Sequence, residues 1–141
     1  MGRYITTSPQ ETAALGQRLA EGFRGGELVA FRGGLGAGKT VFCTGMSQAL
    51  GSTDAVSSPT FAIANYYRGR IPFAHFDAYR IHTQEDLETA GLYDYLEQGA
   101  VAAVEWAENI AQYLPQPLIL VRILLRGETE REITIEGAAG L

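Results

Sequence analysis

Apolar positions along the chain keep two rhythms, one near four residues and one of two. Leu15, Leu19 and Phe23 recur on one face behind Ser8-Pro9-Gln10-Glu11. Ser8 suits a helix cap, Pro9 the first helical position, and Glu11 closes a capping box. Gly25-Gly26 is expected to end that helix. Residues 27–32 (ELVAFR) read as a short buried strand. A glycine-rich stretch follows, then a helix with Phe42, Met46, Ala49 and Leu50 at helical spacing, stopped by Gly51. Residues 61–67 and 71–76 read as two strands joined by a tight turn at Arg68-Gly69-Arg70. Pro72 cannot donate a ladder hydrogen bond, so it belongs at a strand start or an edge. Thr83 suits the cap of a short helix with Asp86 in its first turn and Gly91 at its end. Residues 100–104 form a buried strand followed by a helix to about Tyr113, and 118–125 with 132–135 form a final hairpin. Strand and helix alternate around a hairpin insert, which predicts an α/β fold whose central sheet is mostly parallel but mixed.

Composition narrows this little. The chain has 141 residues, 46% hydrophobic and 19% charged, so one domain over 1–141 with a real core is expected. No apolar run approaches the roughly 20 residues of a membrane span, and the N-terminus lacks a signal-peptide pattern. Cys43 is the single cysteine, best read as a small buried helix residue, and no Cys/His spacing suits a metal. A reducing, cytoplasmic setting fits. The net charge of −5 argues against free-standing nucleic-acid binding. Of the 11 basic residues, one is a lysine, Lys39.

That lysine sits in the chain's most specific signal. Gly33-Gly34-Leu35-Gly36-Ala37-Gly38-Lys39-Thr40 satisfies G-x-x-x-x-G-K-[ST] at every fixed position, between a strand and a helix start. The glycines let successive backbone N–H groups turn inward around phosphate oxygens, and the helix N-terminus adds partial positive charge. Lys39 suits the β- and γ-phosphates, and the Thr40 hydroxyl suits magnesium. Magnesium on a triphosphate also wants a carboxylate at a strand end. Two strands offer one, 100–105 ending in Glu105 and 71–77 ending in Asp77; a solvated strand-end acid with no role is the competing reading for each. Ser57-Ser58-Pro59-Thr60 lies where a switch loop can bring Thr60 to the γ-phosphate, although a plain turn explains it as well. Trp106 fits a core position better than a stacking one. His75 reads as a structural histidine or a partner of Asp77 rather than a metal ligand.

Several segments in order, FRGGLGAGKT, SSPTF, HFDAYRI, DLETAGLYDYL, VEWAENI and the LP before the last hairpin, together resemble the TsaE family of bacterial tRNA threonylcarbamoyladenosine biosynthesis ATPases. The likeness spans nearly the whole chain, and HFDxYR and VEW are its specific marks. It implies a small P-loop NTPase fold with ATP/ADP and Mg²⁺ as cofactors and weak hydrolysis by the isolated protein. It also implies work with the two other protein subunits of the threonylcarbamoyl-transfer complex, tRNA being reached only through them, and no membrane. Carried over residue by residue, Gly33, Leu35, Gly36, Ala37, Gly38, Lys39, Thr40 and Val41 contact the nucleotide phosphates. Thr40 and Glu105 hold magnesium, Thr60 is the switch threonine, and Asp77 positions the attacking water or supports the metal. Lys39, Asp77 and Thr60 form the catalytic set. Trp106 lies by the site, Arg131 near the nucleotide with Arg126 as the competing choice, and Gln10 towards the adenine. Val41 stands where the family often has a second threonine on the α-phosphate, and Ala78 replaces a common leucine. A small-molecule kinase and an ATP-gated interaction module with incidental turnover share the phosphate loop and are the alternatives. Nothing resembles the guanine-specific N-K-x-D motif.

Overall fold

Capping fixes where the first helix begins. Ser8 Oγ accepts the Glu11 N–H at 3.1 Å. The Glu11 carboxylate reaches back to the Thr7 N–H at 2.8 Å, so the box closes one residue earlier than on the cap itself. The computed structural model describes residues 2–33, 38–53, 56 and 64–137. Within them the elements run β1 (Gly2–Thr6), α1 (Pro9–Ala20), β2 (Leu28–Arg32), α2 (Lys39–Ala49), β3 (Ala64–Tyr67), β4 (Phe73–Asp77), α3 (Gln84–Ala90), α4 (Leu92–Glu97), β5 (Val101–Glu105), β6 (Ile119–Leu125) and β7 (Arg131–Glu136). Short 3₁₀ turns occupy Ala78–Arg80, Ala107–Asn109 and Ala111–Tyr113.

All seven strands join one sheet in the order β1-β7-β6-β2-β5-β4-β3. The centre, β6-β2-β5-β4, is parallel. The flanking pairs β3–β4, β6–β7 and β1–β7 are antiparallel. The predicted α/β fold with a mixed sheet, parallel through its centre, is therefore what forms.

Strand alternation sends successive side chains to opposite faces and so builds two cores. Val29, Phe31, Phe73, Val101 and Ala103 pack with Leu15, Leu19, Phe42 and Met46 under α1 and α2. Leu28, Ala30, Phe76, Ala102 and Val104 pack with Leu87, Leu92, Ile110 and Leu114 on the other face. The helices α1 and α2 approach so closely that a Cβ at Gly16 would overlap the Phe42 carbonyl oxygen, and one at Gly45 that of Ala13. This locks α1 and α2 together over one face of the sheet.

Two expectations need correction, and two elements, α4 and β1, lie beyond them. The first helix stops at Ala20, and Gly25 and Gly26 belong to the loop beyond it, where Gly26 donates to the Ala100 carbonyl at 3.0 Å. Gly91, at φ 90°, ends α3 but also opens a further helix, α4. After β5 the chain makes two 3₁₀ turns rather than an α-helix. The N-terminal strand β1 went unpredicted. Residues 61–63 of the expected third strand lie outside the described residues.

Candidate functional site

Parallel strands bring their C-terminal ends to one edge of the sheet. At that edge β2 ends beside the head of α2. Gly38 caps α2 with φ 104°, a left-handed conformation that suits glycine, and no acidic residue in the first turn offsets the helix's N-terminal charge. Lys39 is the first residue of α2 and is 7% exposed. Its ammonium donates to the Gly33 carbonyl at 3.1 Å, lies 3.6 Å from Glu105 Oε1, and stands 5.2 Å over the Trp106 ring.

Glu105 ends β5 and shares its side of the strand with Val101 and Ala103, the side facing α1 and α2. It is itself 7% exposed. Its second oxygen, Oε2, is 2.7 Å from His75 Nε2. Burial works to raise the Glu105 carboxyl; the His75 hydrogen bond and the Lys39 ammonium outweigh it and hold the group below the ordinary carboxyl value. A carboxylate, an ammonium and an imidazole thus form one buried chain at the entrance to α2. Close by, burial and then the Glu105 charge push the Cys43 thiol well above its usual value, as suits an inert helix residue.

His75 corrects one reading. It pairs with Glu105, not Asp77. In the parallel register Asp77 stands opposite Glu105 and His75 opposite Ala103. The imidazole leans diagonally over the small alanine to Glu105, while Asp77 Oδ1 accepts the Tyr79 N–H at 2.9 Å and caps the next 3₁₀ turn. No periodicity could reveal this, because it depends on which strands are neighbours. The usable signal was a lone histidine inside an apolar strand.

The other expected residues spread along the same edge. Thr40 and Val41 follow Lys39 in the first turn of α2, both half-buried. Trp106 adopts φ 58°, uncommon outside glycine, and meets Tyr79 edge-on at 5.2 Å between ring centroids. Tyr79, 58% exposed, was not singled out by its sequence. Arg131 opens β7, paired with Leu125 at the end of β6 and with Thr6 of β1. Its guanidinium donates to the Gly127, Glu128 and Glu130 carbonyls at 3.4, 3.4 and 3.2 Å. Arg126 pairs with Glu132 at 3.2 Å. Gln10 is exposed in the first turn of α1, which follows β1 at this edge. Leu35, Gly36, Ala37 and Thr60 lie outside the described residues. A cavity of about 600 Å³ opens at the opposite end of the sheet, beside Leu28 and Ile119. Its charged lining is two carboxylates, Glu27 and Glu97, which suits no phosphate.

The chain is similar to known proteins over most of its length. A family model described as "Threonylcarbamoyl adenosine biosynthesis protein TsaE" matches residues 6–133. The chain is 39% identical over 133 residues to the tRNA threonylcarbamoyladenosine biosynthesis protein TsaE of Bacillus subtilis, covering 94% of this chain and 83% of that protein. It is 32% identical over 133 residues to the protein of the same name from Treponema pallidum, covering 94% and 98%. The crystal structure of Bacillus subtilis YdiB superposes with a TM-score of 0.77 at 33% identity, covering 95% of this chain and 83% of that one.

Proposed function

This chain belongs to the TsaE family, and on that premise we propose that it is a magnesium-dependent ATPase serving tRNA threonylcarbamoyladenosine biosynthesis. The observation that carries the reading is the buried Lys39–Glu105–His75 chain at the head of α2. A phosphate-loop lysine beside a buried strand-end carboxylate is what binding a metal triphosphate requires.

Glu105 and Thr40 offer a carboxylate and a hydroxyl, hard oxygen donors of the kind magnesium prefers. Among the described residues no group of three or more His, Cys, Asp or Glu could hold a metal ion. Glu105 and Thr40 would hold the cation from the protein side, and water and phosphate oxygens would complete its oxygen shell. The chemistry it supplies when bound is neutralisation of charge on the phosphate oxygens.

The protein groups divide the remaining work. Lys39 exchanges its ion pair with Glu105 for the β- and γ-phosphates. Backbone N–H groups of Gly33, Leu35, Gly36, Ala37, Gly38 and Val41 cradle the phosphates. Asp77 orients the attacking water or supports the cation, and Thr60 senses the γ-phosphate. Trp106, Arg131 and Gln10 form the rim. Arg131 and Arg126 are both engaged locally, so neither stands ready as an arginine finger. An arginine supplied in trans is worth ~10³–10⁵ in rate, and the isolated chain accordingly turns over slowly until the two other subunits of the complex engage it. The tRNA is met through those partners.

The test is ATP hydrolysis by the purified chain, alone and then with the partner subunits and tRNA. Strong stimulation is expected. Turnover that instead needs a metabolite and ends in its phosphorylation would replace this reading with a kinase.

A further inference from the structure

We propose, resting on the magnesium–ATP reading above, that His75 is a positioning residue. It anchors one oxygen of Glu105 so that the other is presented to the cation and the Lys39 ammonium.

The imidazole is fully buried and its ring lies nearly parallel to Phe73, with centroids 6.2 Å apart and planes at 22°. Ala103 opposite leaves room for it to lean towards the strand end. Its Nδ1 is buried with no hydrogen-bond partner among the described residues, whereas Nε2 is 2.7 Å from Glu105 Oε2. A hydrogen on Nδ1 would be stranded without an acceptor, so the ring carries it on Nε2 and donates to the carboxylate. Glu105 is then divided between two neighbours, Oε2 to His75 and Oε1 towards Lys39 at 3.6 Å. The terminal torsion of a glutamate is soft and roughly two-fold. Without the anchor, the carboxylate is free to rotate about that torsion, and neither oxygen is held facing the cation. Partners one step behind a metal ligand typically govern 10–100-fold in metal affinity.

Calorimetric titration of ATP, with magnesium and with EDTA, tests this in the wild type, His75→Gln and His75→Asn. The glutamine amide nitrogen falls near the former Nε2 and keeps the donor; the asparagine nitrogen falls near Nδ1 and cannot reach Glu105. We expect His75→Asn to lose about tenfold or more of the magnesium-dependent part of ATP affinity while metal-free affinity stays close to wild type. His75→Gln should recover most of that loss. Unchanged magnesium dependence in His75→Asn, or no recovery in His75→Gln, would overturn the inference while leaving the ATPase reading intact. Wild-type ATP binding indifferent to magnesium would overturn the metal assignment, and the inference with it. Nitrogen-resolved NMR of the wild-type histidines gives a measure independent of any variant's folding. The Nε2–H tautomer at His75 is expected, and the Nδ1–H tautomer would sink the proposal.

Discussion

At the scale of single residues, Lys39 is a buried cation whose counter-charge is Glu105. Removing one member of a buried pair leaves the other uncompensated. Glu105→Ala is therefore expected to destabilise the nucleotide-free protein by about 1–3 kcal/mol, read from urea unfolding. The same pair sets a pH dependence. Glu105 holds its proton less readily in the folded state than in the unfolded one. Its contribution is thus present above the ordinary carboxyl value and is lost as pH falls through the lower folded value. Unfolding midpoints measured down through the acid range should fall more steeply for the wild type than for Glu105→Gln; parallel curves would refute the assignment. Residues were the scale at which sequence spoke most unevenly. Lys39, Thr40 and Glu105 could be singled out from a motif and a strand end, because both signals are local. The His75–Glu105 bond was hidden because it joins positions 30 apart through a strand pairing.

At the scale of elements, the contact between α1 and α2 depends on two glycines that face carbonyl oxygens. A methyl at Gly45 must displace Ala13, and overpacking of this kind costs about 1–3 kcal/mol. Gly45→Ala should lower the thermal midpoint accordingly, and it should also weaken nucleotide binding because α2 carries Lys39 at its head. A variant with wild-type stability and affinity would mean that the helices separate freely. Helices with a cap or a periodic apolar face were legible here: α1 has both, α2 the face and α3 the cap. The strand β1 was not, because Gly2–Thr6 is a half-exposed edge strand with one buried residue. Nor were the 3₁₀ turns after β5, since Ala107, Ile110 and Leu114 keep a helix-like spacing while making turns that are not α-helical.

At the scale of the whole molecule, one sheet gathers the ends of β2, β4 and β5 beside α2, so the proposed nucleotide binding there would couple to global stability. Magnesium and ATP at 100 times the dissociation constant should stabilise the wild type by about 2.7 kcal/mol. The corresponding rise in unfolding temperature should vanish in Lys39→Ala, and a rise of similar size in that variant would move the nucleotide elsewhere. The order of strands could not be read from the sequence, yet the fold class could, since alternation of strand and helix dictates a covered, mostly parallel sheet.

Trp106 gives this arrangement an optical consequence. It is the chain's one tryptophan, it sits 5.2 Å from the Lys39 ammonium, and it meets Tyr79 edge-on. Indole emission shifts with nearby charge and polarity, so the protein's tryptophan fluorescence originates from a single ring at the edge of the site. If ATP draws Lys39 away from Glu105 as proposed, that emission should change colour and intensity without any attached dye, and stopped-flow mixing with ATP would time the exchange in the native chain.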